Sequence, residues 1–166
     1  MTSPETTFVA EPGSHEFTIT AVVDAPREAV YRAYTEPELL TQWWGPAELT
    51  TTIEKLEVKQ GGVWRFVHTD SEGNTYGFHG VYHEVQPERI VQTFEFEGVP
   101  GHVSLQTATF TEADGRTTIT EHAVFQSVAD RDGMKAAGAE AHAPVGMAQL
   151  AAVLENLRPA TPETAA

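Results

Sequence analysis

Thr35-Glu36-Pro37-Glu38-Leu39-Leu40-Thr41-Gln42-Trp43-Trp44-Gly45-Pro46 is the stretch on which the reading of this chain turns. Its first part is helical in character. Thr35-x-x-Glu38 is a capping-box pattern, and Pro37 falls inside the first turn, where its missing N–H costs nothing. The helix must stop at the tryptophan pair, because Pro46 disfavours helical geometry in the residue before it and Gly45 permits an unusual turn. Two adjacent indoles can each bury on the order of 200 Å², and each carries an N–H that needs a partner. The run therefore predicts a helix end packed against a sheet, at the rim of a cavity.

Working outward, Asp24-Ala25-Pro26 opens a preceding helix whose apolar stripe is Ala29, Val30, Ala33 and Tyr34. Before it, Glu16–Val23 sets Phe17, Ile19, Ala21 and Val23 on one parity and reads as a strand. After the tryptophan pair the pattern turns to strands, over 49–58, 63–70, 75–85, 89–97, 102–111 and 116–125. The short turns between them, such as Gln60-Gly61-Gly62 and Ser71-Glu72-Gly73-Asn74, demand an antiparallel meander. Ser127-x-x-Asp130 then caps a helical tail that reaches about Leu157 and is interrupted by Gly133, Gly138 and Pro144. Pro144 predicts a kink or split near Glu140–Ala143. The later stripe of Met147, Leu150, Val153, Leu154 and Leu157 must bury one face. The predicted fold class is α+β. A curved antiparallel sheet grips a long C-terminal helix, with two short helices after the first strand. Residues 16–157 make a single domain, while 1–15 and 158–166, rich in Pro, Thr, Glu and Ala, are expected to be disordered tails.

Ten Lys and Arg face twenty-four Asp and Glu, a formal charge of −14 on 166 residues. Such a charge repels phosphate backbones and anionic lipid, so nucleic acid and membrane surfaces are poor partners. It solvates the surface and suits a basic protein partner; a homodimer stays open. There is no cysteine, hence no disulfide and no thiolate chemistry. No apolar run approaches the roughly 20 residues of a membrane span, and the first residues lack the basic and apolar regions of a signal peptide, so a cytoplasmic protein is expected.

The chain resembles the SRPBCC (START-like, helix-grip) superfamily, and most closely its bacterial branch named for the activator of the heat-shock-protein ATPase. The resemblance rests on Ala25-Pro26-Arg27-Glu28-Ala29-Val30-Tyr31, Pro37-Glu38-Leu39-Leu40, Trp43-Trp44-Gly45-Pro46, Gly61-Gly62, Gly80-Val81-Tyr82, Pro87-Glu88-Arg89-Ile90-Val91 and Ser127 with Asp130-Arg131-Asp132-Gly133-Met134. It implies a cavity between sheet and long helix for an apolar or amphipathic small molecule. The superfamily ranges from ligand carriers to polyketide cyclases, and some eukaryotic relatives bind a chaperone, so function must be argued from the site. Where the resemblance implies a Gly-Met-Glu-x-Gly type segment at the start of the closing helix, this chain has Gly138-Ala139-Glu140-Ala141-His142-Ala143-Pro144-Val145-Gly146.

Strand parity then suggests the cavity lining. Trp64, Phe66 and His68 share one face, as do Phe78, Gly80 and Tyr82, then Ile90, Gln92, Phe94 and Phe96, and finally Ile119, Glu121, Ala123 and Phe125. Trp64, Phe66, Phe78, Tyr82, Phe94 and Met147 are the expected walls, and His68, Gln92, Glu121 and His142 the groups that orient a ligand. A carboxyl buried beside Ile119 and Ala123 has its pKa raised unless paired. Glu121 could thus serve as a general base, with His68 or His142 as acid. The plainer alternatives are a Glu121 at the sheet's mouth or held by an Arg, a His or a Tyr hydroxyl, a half-buried His68, and a His142 that faces solvent. His79 and His83, four strand positions apart, are separated by ~13 Å, too far to share an ion. No metal and no cofactor is expected. Binding of a hydrophobic or amphipathic small molecule is the leading expectation. Acid–base enzymology of the cyclase, aldol or addition type in the same cavity, and a chaperone-type protein-binding module, are the alternatives.

Overall fold

The computed structural model describes residues 3–158. Its elements are β1 (Thr6–Val9), β2 (Glu16–Val23), α1 (Arg27–Thr35), α2 (Pro37–Trp43), β3 (Thr50–Leu56), β4 (Val63–Thr69), β5 (Thr75–Gln86), β6 (Arg89–Phe96), β7 (Val103–Ala113) and β8 (Arg116–Val124). They are followed by α3 (Val128–Met134), a segment Lys135–Ala139 in which the chain kinks, and α4 (Glu140–Asn156). All strands join one antiparallel sheet in the order β1-β2-β8-β7-β6-β5-β4-β3. The meander from β3 to β8 is thus completed by β2 docking beside β8, with Ile19 opposite Glu121. The fold class is α+β as expected, with the curved sheet packed on the helices. No helix among the described residues is long and apolar enough to cross a membrane.

The core lies between the inward parity of the sheet and the helices. Trp64, Phe110, Ile119, Leu150 and Leu154 are essentially inaccessible there. The strand bounds fall within about two residues of those expected, because alternation is a local signal that a half-buried sheet obeys closely. β5 carries a bulge between Tyr82 and Glu84, and β3 one between Ile53 and Lys55. Such bulges bend the sheet.

The structure corrects three expectations. The segment 1–15 is not all tail. β1 pairs with β2, and Phe8 stacks on Phe17 with ring centroids 4.7 Å apart. One inward aromatic in a four-residue strand is too weak a pattern to read. Of the expected C-terminal tail, residues 159–166 lie outside the described residues, and Arg158 pairs with Asp24. The Thr35–Glu38 capping box does not form. α1 runs on to Thr35, whose hydroxyl donates back to the Tyr31 carbonyl at 2.7 Å, and Glu36 takes the cap position without a side-chain bond. The break in the C-terminal helix lies at Gly138, with φ of 122°, not at Pro144, which sits within α4. Glycine adopts that φ without a Cβ clash, whereas a proline this early in a helix forfeits a single hydrogen bond. The two short helices follow the strand Glu16–Val23, as expected; that strand is β2 once β1 is counted. Ser127 does cap α3 as expected, accepting from the Asp130 N–H at 3.1 Å.

Two long-range clamps hold the ends of the helical layer. Arg131 is buried and donates to the carbonyls of Glu11 and Glu16, each at 3.0 Å, and to Asp132. Gln149 of α4 donates to the carbonyls of Trp43 and Gly45 at 3.0 and 2.9 Å, so α4 fixes the end of α2.

Candidate functional site

The turn Trp43-Trp44-Gly45 seats two indoles in different ways. Trp43 points down into the helical layer and satisfies its N–H on the Ala33 carbonyl at 2.9 Å. Trp44 turns the other way, into the sheet's aromatic face. It meets Phe66 and Phe78 edge-on, at centroid distances of 4.9 and 5.4 Å, and tilts against His68 at 5.0 Å. Edge-to-face contacts at these distances suit the ring quadrupoles. Gly45 then takes φ of 81°, and its bare Cα lies against His68. An added Cβ would sit 2.3 Å from the His68 ring.

Behind Trp44 lies an inner cavity of about 220 Å³. Its sheet side presents Phe66, Tyr82, Gln92, Phe94, Gln106 and Glu121; its helical side presents Tyr34, Trp43, Trp44 and, at the helix break, Met134 and Ala139. An outer cavity of about 690 Å³ shares Phe94 and Met134 with it and opens past His68, Phe78, Phe96 and Ser104 towards Asp70 and Asp130. A larger surface depression of about 890 Å³ runs over Asp24, Arg116, Glu155 and Arg158. No aromatic ring lines it, its walls are mostly threonines and small aliphatic residues, and Arg158 there is paired with Asp24 and Glu155, so the other two cavities are the candidates for a site.

Glu121 holds the inner end. Its Oε1 accepts the Tyr34 hydroxyl at 2.5 Å. The Tyr34 ring itself is wedged between Trp43 and Phe110, with centroids 4.7 and 4.8 Å away. Burial pushes the Glu121 carboxyl up from its ordinary pKa, and the Tyr34 hydrogen bond offsets part of that rise. Burial likewise pushes the Tyr34 hydroxyl well up, with the adjacent Glu121 charge adding to it. The Tyr82 hydroxyl is raised by burial and by Tyr31. His68 is pushed down by burial and by His142. His142 is pushed down by burial, against an opposing pull from Glu48.

A raised carboxyl pKa has a testable sign. Below the unfolded value both states carry the proton and Glu121 contributes nothing. As pH rises from there towards the folded value the unfolded chain ionises first, so stability is lost across that window and stays lost above it. Gln can still accept from Tyr34. Glu121→Gln is therefore expected to be more stable than the parent at pH 8, by a margin that shrinks towards pH 4. Urea midpoints at both values check this; a margin that grows on acidification would refute it.

Of the residues singled out from sequence, Phe66, Tyr82, Gln92, Phe94 and Glu121 meet at the inner cavity, and His68, Phe78 and Phe94 at the outer one. Trp64, Met147 and His142 line neither. Trp64 is buried behind Trp44 against Gly80, its N–H without a partner among the described residues. Met147 faces the core on α4, and the break at Gly138 brings Met134 to the cavity in its place. His142 lies on the first turn of α4, close to Gly146. Glu121 is held by a tyrosine hydroxyl, one of the alternatives foreseen, and not by His68. Tyr34, Gln106 and Met134 were missed. Gln106 was within reach of parity, since Ser104, Gln106, Ala108 and Phe110 alternate along β7; Tyr34 reads from sequence only as part of a helix stripe. His79 points to the outer face of the sheet, towards Glu95 and Glu97. Among the described residues no group of three His, Cys, Asp or Glu is placed to hold a metal ion.

Comparison with known proteins bears on the fold and its family. A crystal structure of a Mycobacterium smegmatis protein superposes with a TM-score of 0.76 at 26% identity, covering 85% of this chain and 91% of that one. A solution structure of an Arthrobacter aurescens protein gives 0.83 at 23% identity, covering 96% and 97%. A crystal structure of a Rhodobacter sphaeroides protein gives 0.81 at 24% identity, covering 90% and 99%. Among curated proteins none matches the chain significantly in sequence. Residues 24–155 match the family described as "Activator of Hsp90 ATPase homolog 1-like protein", a span that takes in all three tryptophans, most of the cavity lining and the helix break. The chain belongs to that family.

Proposed function

We propose that this protein binds a hydrophobic or amphipathic small molecule in the paired cavities between the sheet and the C-terminal helical segment. The observation that carries this is the inner cavity: aromatic walls around a small set of convergent polar groups, Glu121, Gln92 and Gln106. Such a composition is the usual form of a small-molecule site. The Tyr34–Glu121 pair favours a second reading, acid–base catalysis on the bound molecule, since burial raises the carboxyl's pKa and makes it a better proton carrier than a free glutamate. Consumption of many equivalents of a compound would support catalysis; retention of one unchanged equivalent supports binding alone.

The uncharged fluorophore N-phenyl-1-naphthylamine tests the binding reading without a charge of its own. One molecule per chain is expected to bind with a blue-shifted emission. Ala108 lines the inner cavity between Ile90 and Glu121 in register. Ala108→Phe fills that space and is expected to weaken binding at least tenfold while the circular dichroism spectrum is retained. Binding at many weak sites, indifferent to Ala108→Phe, would refute the proposal.

A further inference from the structure

Neither cavity has a lysine or an arginine in its lining. Several of the chain's cations are engaged elsewhere. Arg65 is held by Glu54 and Glu97 on the outer face of the sheet, Arg131 by backbone carbonyls, and Arg158 by Asp24. A ligand carboxylate or phosphate would therefore lie in an aromatic box with no counter-charge, on a protein of formal charge −14, having passed Asp70 and Asp130 on the way in. Burying an unpaired charge in that manner is strongly unfavourable. The histidines of the lining do not supply a counter-charge: His122 is turned to Glu16, His102 to Asp130, and burial among aromatic rings pushes His68 towards its neutral form.

The fixed polar group at the inner end is Glu121, and it is asymmetric. Oε1 is occupied by the Tyr34 hydroxyl, which leaves Oε2 to serve the cavity. The groups that face Glu121 are few. Tyr34 comes from α1, and Tyr82 stands across the cavity on β5. The neighbours in register, Ile19 on β2 and Ala108 on β7, carry no charge, nor do Met134 and Ala139 from the helix break. With no cation nearby to hold it ionised, the carboxyl is built to keep its proton, and that proton belongs on the free oxygen.

We infer that the ligand is an uncharged aromatic carbonyl compound, whose carbonyl oxygen accepts a hydrogen bond from the Oε2–H of a protonated Glu121 while its ring body lies among Trp44, Phe66 and Phe94. The inference rests on the binding reading above. Gln92 and Gln106, opposite each other in register on β6 and β7, offer amides to further oxygens on the same ring system. A cationic ligand is the competing fit to an acidic site. It would require Glu121 to ionise and two charges to lose their hydration between aromatic walls, a penalty the pair's own attraction must first repay.

Four ligands on one skeleton test the inference at pH 7: naphthalene, 2-acetylnaphthalene, 2-naphthoate and 2-naphthylmethylammonium. Binding is read directly by saturation-transfer NMR and by displacement of N-phenyl-1-naphthylamine. The ketone is expected to bind about threefold to tenfold tighter than naphthalene, the range one net hydrogen bond supplies, and at least tenfold tighter than the naphthoate. Glu121→Gln, whose amide N–H can replace the acid O–H, is expected to keep the preference for the ketone over naphthalene. Glu121→Met is expected to erase it. Should the Met variant fail to fold, the ligand series on the parent and the Gln variant still decides. A ketone no tighter than naphthalene, or a naphthoate that matches it, overturns the inference. A tighter ammonium ligand overturns it too and makes Glu121 a counter-ion. If the fluorophore binds and the ketone shows no preference, the inference alone fails. If neither the fluorophore nor any naphthalene binds, the binding reading falls with it.

Discussion

Arg131→Ala is expected to lower folding stability by about 3 kcal/mol, the range for removing a buried, multiply bonded charged group. On a domain of this size that is a fall of roughly 10 °C in Tm. The side chain is 3% exposed. Its guanidinium ties two pieces of chain that are distant in sequence: the N-terminal segment, through the carbonyls of Glu11 before β2 and Glu16 at its start, and α3, where Arg131 itself sits. Truncation leaves two inward-facing carbonyls without their donor and opens a void beside Asp132. Lysine cannot reproduce the fork, because a single ammonium lacks the planar set of donors that serves the two carbonyls and Asp132 together. Arg131→Lys is therefore expected to recover less than half of the loss. The damage should also be local before it is global. Amide protons of β1 and the start of β2 should exchange faster in Arg131→Ala than those of β6 and β7. A variant within about 1 kcal/mol of the parent, with unchanged exchange in β1, would show that Arg131 is not the clamp.

The second large effect is expected at Gly45. Alanine there meets two penalties at once. A non-glycine residue at φ of 81° carries backbone strain on the order of 1–3 kcal/mol. Its Cβ would also stand 2.3 Å from Cε1 and 2.5 Å from Nε2 of His68. That ring has little room to retreat, being packed against Trp44 and Phe78 with both centroids 5.0 Å away. Nor can the turn back off freely, since Gln149 holds the Gly45 carbonyl. A total loss of about 3 kcal/mol follows from strain and overpacking together. A double-mutant cycle separates them. His68→Ala removes the obstacle and leaves the strain, so Gly45→Ala should be milder in the His68→Ala background by at least 1 kcal/mol. Strict additivity in urea unfolding would place the whole cost in the backbone and discard the contact.

The strands, the two short helices and the Trp43–Pro46 turn were legible because each is written in a short window: alternation, a proline early in a helix, a glycine and proline after it. β2 was bounded to the residue. What escaped depended on partners far along the chain. Nothing in Thr6–Val9 alone says that Phe8 will find Phe17, and nothing in the Thr35-x-x-Glu38 pattern says that Thr35 will bond backwards to Tyr31. Two helix breakers six positions apart, Gly138 and Pro144, compete for one kink, and local rules do not rank them; the fold places the positive φ at the glycine. The candidate site divides the same way. Parity brought Phe66, Tyr82, Gln92, Phe94 and Glu121 to one face. The identity of Glu121's partner, 87 positions away in Tyr34, depends on how α1 crosses the sheet, which no local pattern encodes.

The order β1-β2-β8 has a consequence for how the chain is made. Strands β3 to β8 pair with their neighbours in sequence and can zip up as they emerge from the ribosome. β2, synthesised before any of them, has its main partner in the last strand, and the Thr117 hydroxyl that bonds the Ala25 carbonyl is 92 positions downstream of it. At a synthesis rate of roughly 5–20 residues per second, the edge of β2 that meets β8 waits unpaired for several seconds while the rest of the sheet is built. Such long-range closure is slow compared with hairpin formation. The final, rate-limiting event is then the docking of the N-terminal strand with α1 and α2 on an already formed meander, and the same event brings Tyr34 to Glu121. Nascent chains halted before β8 should accordingly be bound by chaperones that recognise exposed apolar strands. Released chains should form the inner cavity last, after most of their secondary structure is in place.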